Sequence, residues 1–192
     1  MAVRTGRPQL RSVYFVCDAF IESVGRSQMT ISHSNSMLIG VGNPFLSDDG
    51  AGLAIVRLLR GQIPPGMKCV EETGDGAELL DAWKGSEYVI LIDAIQSGAP
   101  PATIYRFDAR TESLPAWFSH ASTHTFGVAE AIELARHMDE LPSKLIVYGI
   151  EGLDFSPGTE ISPEVAEALP AISRLILREI VKLSAVRMAK SV

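Results

Sequence analysis

A chain of 192 residues, 46% hydrophobic and 21% charged, can bury one full core, so a single domain is expected. A formal net charge of −6 and a pI near 5.2 leave no basic face for a phosphate backbone, which excludes nucleic acid as an expected partner. Cys17 and Cys69 lie too far apart in sequence to suggest a disulfide framework or a thiolate knuckle, and no apolar run nears the roughly 18 residues that span a bilayer, so a cytoplasmic protein without a membrane segment is expected.

Residues 1–36 differ from the rest, with Arg4, Arg7, Arg11 and Arg26 outweighing Asp18 and Glu22 and no sustained periodicity. They read as a peripheral N-terminal extension or the product of an early start site, the alternative being an added edge strand at 13–17. Residues 37–192 read as one α/β domain.

From Met37 the elements alternate. A strand at 37–41 leads to a helix at about 50–60; after Pro64-Pro65-Gly66 comes a strand at 68–71, then Gly74-Asp75-Gly76 and a helix at 77–83. Tyr88-Val89-Ile90-Leu91-Ile92 is an unbroken apolar run of the kind buried on both faces, and it ends in Asp93. A fourth strand at 103–107 precedes a long loop, 108–123, after which Ser122 or Thr123 is expected to cap a helix through Phe126, Val128, Ile132 and Ala135. A fifth strand at 145–150, a Gly/Pro-rich loop at 151–162 and a final helix from Pro163, disturbed at Pro170, complete the pattern. The expected fold is a three-layer α/β/α arrangement around a twisted, mostly parallel sheet of about five strands.

In such a sheet ligands gather outside the carboxyl ends of the strands. Asp49 follows the first strand, Asp93 ends the third, and His124 stands at the entrance to the helix after the fourth. If those strands are neighbours, two carboxylates and an imidazole meet at a point suited to Zn²⁺, Ni²⁺ or a similar borderline ion, with positions left open for substrate or water. Taken singly, Asp48 and Asp49 could cap a helix, Asp93 could close a turn, and His124 could be a surface residue of a first turn.

Other chemistries fit less well. Gly40-Val41-Gly42 begins like a dinucleotide loop, but Phe45 occupies the third glycine position and Pro44 stiffens the turn. There is no G-x-x-x-x-G-K-[ST] or G-x-S-x-G motif, and neither cysteine stands beside a base in sequence. His33, His120 and His137 read as loop or surface residues.

The stretch Gly40-Val41-Gly42-Asn43 through Asp48-Asp49-Gly50-Ala51-Gly52, with Leu91-Ile92-Asp93-Ala94, His124-Thr125-Phe126-Gly127, Gly149-Ile150-Glu151 and Ile161-Ser162-Pro163, resembles the hydrogenase maturation proteases over about residues 37–180. These endopeptidases trim the C-terminus of nickel-iron hydrogenase large-subunit precursors. The resemblance implies that Asp49, Asp93 and His124 contact the metal and that nickel arrives within the precursor rather than as a resident cofactor. For the cleavage itself, the expected mechanism has the precursor's nickel polarising the scissile carbonyl or its water while Asp49 or its neighbour Asp48 helps to move the proton, the alternative being a metal-free mechanism with Asp93 as general base. The precursor is the expected protein partner and the enzyme is expected to be a monomer. Two alternatives stay open: a metal-independent endopeptidase of the same fold, similar to the spore germination protease, and a binder of the metallated precursor that does not cut it. The 1–36 segment and Glu151-Gly152-Leu153-Asp154, which lacks the proline often found after that acid, depart from the family pattern.

Overall fold

The computed structural model describes residues 35–120 and 126–189, all within one compact unit. Cys17, His33, the alternative strand at 13–17, Ser122, Thr123 and His124 lie outside the described residues.

Five strands, β1 (Ser36–Val41), β2 (Lys68–Glu72), β3 (Tyr88–Ile95), β4 (Ile104–Asp108) and β5 (Lys144–Glu151), form one sheet in the order β2-β1-β3-β5-β4. The pairings β1–β2, β1–β3 and β3–β5 are parallel, and β4 runs antiparallel to β5. Parallel neighbours need crossover connections, and α1 (Ala51–Leu59), α2 (Gly76–Trp83) and α3 (Val128–His137) lie in them. The β3–β4 connection, 96–103, is too short for a crossover, so the chain turns back on itself and β4 becomes the antiparallel edge. α4 (Pro163–Ala189) follows β5.

Side-chain alternation along the strands divides the core into two layers. Met37, Ile39, Leu91, Leu145 and Val147 pack with Leu79 and Trp83 of α2 and with Val128 and Ile132 of α3. Leu38, Ile90, Ile92, Ile146 and Tyr148 pack with Ile55 and Leu59 of α1 and with Leu169, Ile172 and Ile176 of α4. The three-layer α/β/α expectation therefore holds. Among the described residues no helix is long and apolar enough to cross a membrane.

Three local expectations are corrected. β3 does not end in Asp93 but continues to Ile95, because β5 still pairs with it there, Asp93 opposite Gly149 and Ile95 opposite Glu151. α3 starts at Val128 with Gly127 as its N-cap, later than the expected Ser122 or Thr123; the Glu130 carboxylate accepts the Gly127 N–H at 3.0 Å. α4 runs unbroken through Pro170, where both Pro170 and Ala166, whose carbonyl loses its helical partner, are exposed to water.

Candidate active site

The corner after β1 is built by close backbone approach. Gly42 has φ +142°, and a Cβ there would collide with the carbonyl oxygen of Asp49, so only glycine lets the 43–49 loop fold back over the strand end. A Cβ at Gly40 would lie 2.5 Å from the Gly52 carbonyl oxygen, and one at Gly52 would lie 2.5 Å from that of Ile92. The first turn of α1 is thereby seated on the adjacent ends of β1 and β3. Asn43 shapes the loop between: its backbone N–H donates to Asp49 Oδ2 at 2.6 Å, and its side-chain Oδ1 accepts the Phe45 N–H at 3.0 Å.

Asp93 lies at the end of this corner. It is 8% exposed and, by alternation with Leu91 and Ile95, points to the α2/α3 face. Burial pushes its carboxyl up to about 8, the negative charge of Asp49 pushes the same way, and the Ala94 N–H opposes them. Two expected site residues are therefore within electrostatic reach of each other, with one proton held on the buried member at neutral pH. A buried acid beside a second acid is a donor set that a cation would stabilise in place of that proton.

Among the described residues, no three His, Cys, Asp or Glu side chains cluster in a way that could hold a metal. The described residue nearest His124 on its C-terminal side, Phe126, is anchored at this end of the sheet. Its carbonyl accepts the Gly76 N–H at 2.9 Å, and its ring stands where a Cβ on Gly76 would be, 2.5 Å away.

Asp48 departs from the expectation that it helps to move a proton. It is fully buried, and its carboxylate accepts the N–H of Leu153 (2.7 Å), of Asp154 (3.0 Å) and of Ser162 (2.6 Å) and the Ser162 hydroxyl (2.8 Å). Burial alone would raise its pKa, but the N–H groups of Asp154, Leu153 and Ser162 and the Ser162 hydroxyl outweigh it and hold the carboxyl below the ordinary value. Asp48 is thus an anion at neutral pH that clasps the 152–162 loop onto the corner.

A second clasp, at Glu151, was not distinguished by sequence reasoning beyond its place in a motif. Glu151 is 1% exposed and accepts the N–H groups of Ser97 (2.9 Å) and Gly98 (2.8 Å) and the Ser97 hydroxyl (2.6 Å), fixing the turn after β3. Asp75, within a glycine-rich motif, caps α2 by accepting the Ala77 and Glu78 N–H groups. Sequence reasoning also passed over Glu72, at the end of β2, whose carboxyl is raised by burial and by Glu78. Cys69 has a thiol pushed up by burial, which makes it a poor nucleophile. His137 is exposed, its Nδ1 2.7 Å from the Glu133 carbonyl oxygen.

The hydrogenase maturation protease family profile matches residues 55–179. The hydrogenase 2 maturation protease of Escherichia coli is 30% identical over 150 residues, which span 74% of this chain and 90% of that protein. The hydrogenase expression/formation protein HupM of Azotobacter chroococcum is 26% identical, over 76% of this chain and 71% of its own. Among solved structures, the hydrogenase maturating endopeptidase HybD of E. coli superposes with a TM-score of 0.65 at 23% identity, covering 77% of this chain and 93% of that one, a likeness of fold. An E. coli endopeptidase solved in solution also gives 0.65, at 27% identity, over 73% of this chain and 89% of its own.

Proposed function

This chain belongs to the hydrogenase maturation proteases, and from that premise we propose that it is a cytoplasmic, monomeric endopeptidase. Its substrate is a nickel-iron hydrogenase large-subunit precursor, from which it removes the C-terminal extension once nickel is in place. The observation that carries the reading is the buried Asp93 carboxyl, raised to about 8 with Asp49 contributing, at the carboxyl edge of a parallel sheet.

In this reading the nickel belongs to the substrate, and Asp49, Asp93 and His124 contact it as the precursor docks. Bound nickel polarises the scissile carbonyl or the attacking water. The chain's own groups do the rest. The Asn43 N–H holds Asp49 Oδ2 in one orientation, Asp93 gives up its proton to solvent as positive charge arrives, and Asp49 takes the proton of the attacking water and returns it to the leaving amine nitrogen as the C–N bond breaks. With only two acids and an imidazole, the free enzyme binds metal weakly, so an apo precursor offers too little to complete the site. Support for His124 is its place two residues before Phe126, which is fastened to α2 at this edge.

One observation favours a second reading, a metal-independent endopeptidase. A carboxyl poised near 8 is also suited to general acid–base work without any metal. Single Asp49→Ala, Asp93→Ala and His124→Ala variants, checked for folding and assayed on a nickel-loaded precursor, separate the two. The proposal expects all three to lose processing. Loss with the two aspartate variants and full activity with His124→Ala favours the metal-independent enzyme, and full cleavage by all three contradicts both.

A further inference from the structure

Two large apolar side chains stand in water on the loops that frame the acid pair: Phe45, 68% exposed, and Leu153, 52% exposed. They come from segments far apart in sequence that are joined into one unit. Asp48 accepts the Leu153 N–H, the Ser47 N–H donates to the Gly158 carbonyl at 3.0 Å, the Gly158 N–H donates to the Phe45 carbonyl at 2.9 Å, and the Ser47 hydroxyl donates to the Ser156 carbonyl at 3.0 Å. Leu46 and Gly158 form a parallel bridge between the same two loops. Exposed apolar groups on so firmly tied a mount need little further ordering when a partner covers them, which favours binding.

The mount is also one-sided in charge. Apart from the buried Asp48, residues 43–49 and 152–162 carry Asp49, Asp154 and Glu160 and contain no lysine or arginine. The same loop that carries Phe45 ends at Asp49, and Leu153 is tied through its N–H to the adjacent Asp48, so both anchors belong to the loops that hold the Asp49 end of the acid pair.

We propose that residues 43–48 and 152–158 form the docking platform for the precursor segment beside the scissile bond, with Phe45 and Leu153 as its apolar anchors. The segment it fits is extended, with apolar side chains to cover the anchors and positive charge to face the acids. This inference rests on the proteolytic reading above and specifies how that reading selects its substrate.

The test is steady-state cleavage of nickel-loaded precursor by the unaltered full chain and by Phe45→Ser, Leu153→Ser and, as a control, Val181→Ser, an exposed apolar position on α4. Both anchor positions are exposed, so the variants keep the fold, which circular dichroism verifies. Each anchor variant is expected to raise KM by about tenfold with kcat nearly unchanged, the signature of lost uniform binding. The control leaves both constants as they are, and added salt raises KM for the unaltered enzyme. If the unaltered enzyme cleaves and neither anchor variant raises KM, whether or not kcat falls, the platform is wrong while the protease reading stands. If the unaltered enzyme does not cleave the loaded precursor, the protease reading fails and the platform with it.

Discussion

Asp93 holds a proton at neutral pH because burial disfavours its ionised form and the negative charge of Asp49 adds to the effect. In the unfolded chain the same carboxyl returns to its ordinary value of 3.8. Between about 4 and 8 the folded state therefore binds a proton that the unfolded state has lost, so stability falls as pH rises through that window and levels off above it. Asp93→Asn is expected to remove this slope. Denaturation midpoints of the metal-free protein across the range would check it, and parallel curves for the two proteins would contradict it. Asp48 acts with the opposite sign: its depressed carboxyl contributes stability that is present above 3.8 and lost as pH falls further. Asp48→Ala leaves three backbone N–H groups and the Ser162 hydroxyl without their acceptor, and a loss of about 3 kcal/mol is expected in chemical denaturation. Nothing local in the pair Asp48-Asp49 shows which acid is structural, because the donors that decide it lie in the 153–162 loop. Only the fold separates the residue that clasps from the one that faces Asp93.

At the scale of elements, the apolar runs of β1, β3 and β5 and the glycine punctuation before α1 and α2 were readable, because burial on both faces and tight corners leave plain marks in composition. What misled were features set by tertiary partners. β3 is prolonged past Asp93 by pairing with β5, the start of α3 is fixed by Glu130 reaching back to Gly127, and Pro170 is tolerated because its turn of α4 faces water. The seat of α1 on the sheet should be sensitive to a single methyl group. Gly52→Ala places a Cβ against the backbone carbonyls of Val41 and Ile92, which cannot give way as a side chain can, and a loss of at least about 2 kcal/mol is expected, with processing lost as the corner opens. Thermal unfolding and a cleavage assay would measure both; wild-type behaviour would show that the close approach is not needed. Pro170→Ala restores a helical N–H opposite the exposed Ala166 carbonyl and is expected to stabilise by about 1 kcal/mol, observed as a raised denaturation midpoint.

At the scale of the whole molecule, the strand order explains why residues from separate stretches can work together. β1 and β3 are neighbours at the middle of the sheet, so Asp49, which follows one, and Asp93, two residues before the end of the other, come together towards its carboxyl edge, an address that the alternation of elements already implied for both. The antiparallel turn of β4 was legible in the shortness of the connection before it, which leaves no room for a crossover helix. The loops at that edge are braced by two buried acids, Asp48 and Glu151, so a protein substrate meets a prepared surface. The central claim is that this surface recognises the metal a precursor carries. Incubating the enzyme separately with nickel-loaded and nickel-free precursor and reading intact mass tests it most directly. The account predicts loss of the C-terminal extension from the loaded form alone, and equal trimming of both forms would contradict it.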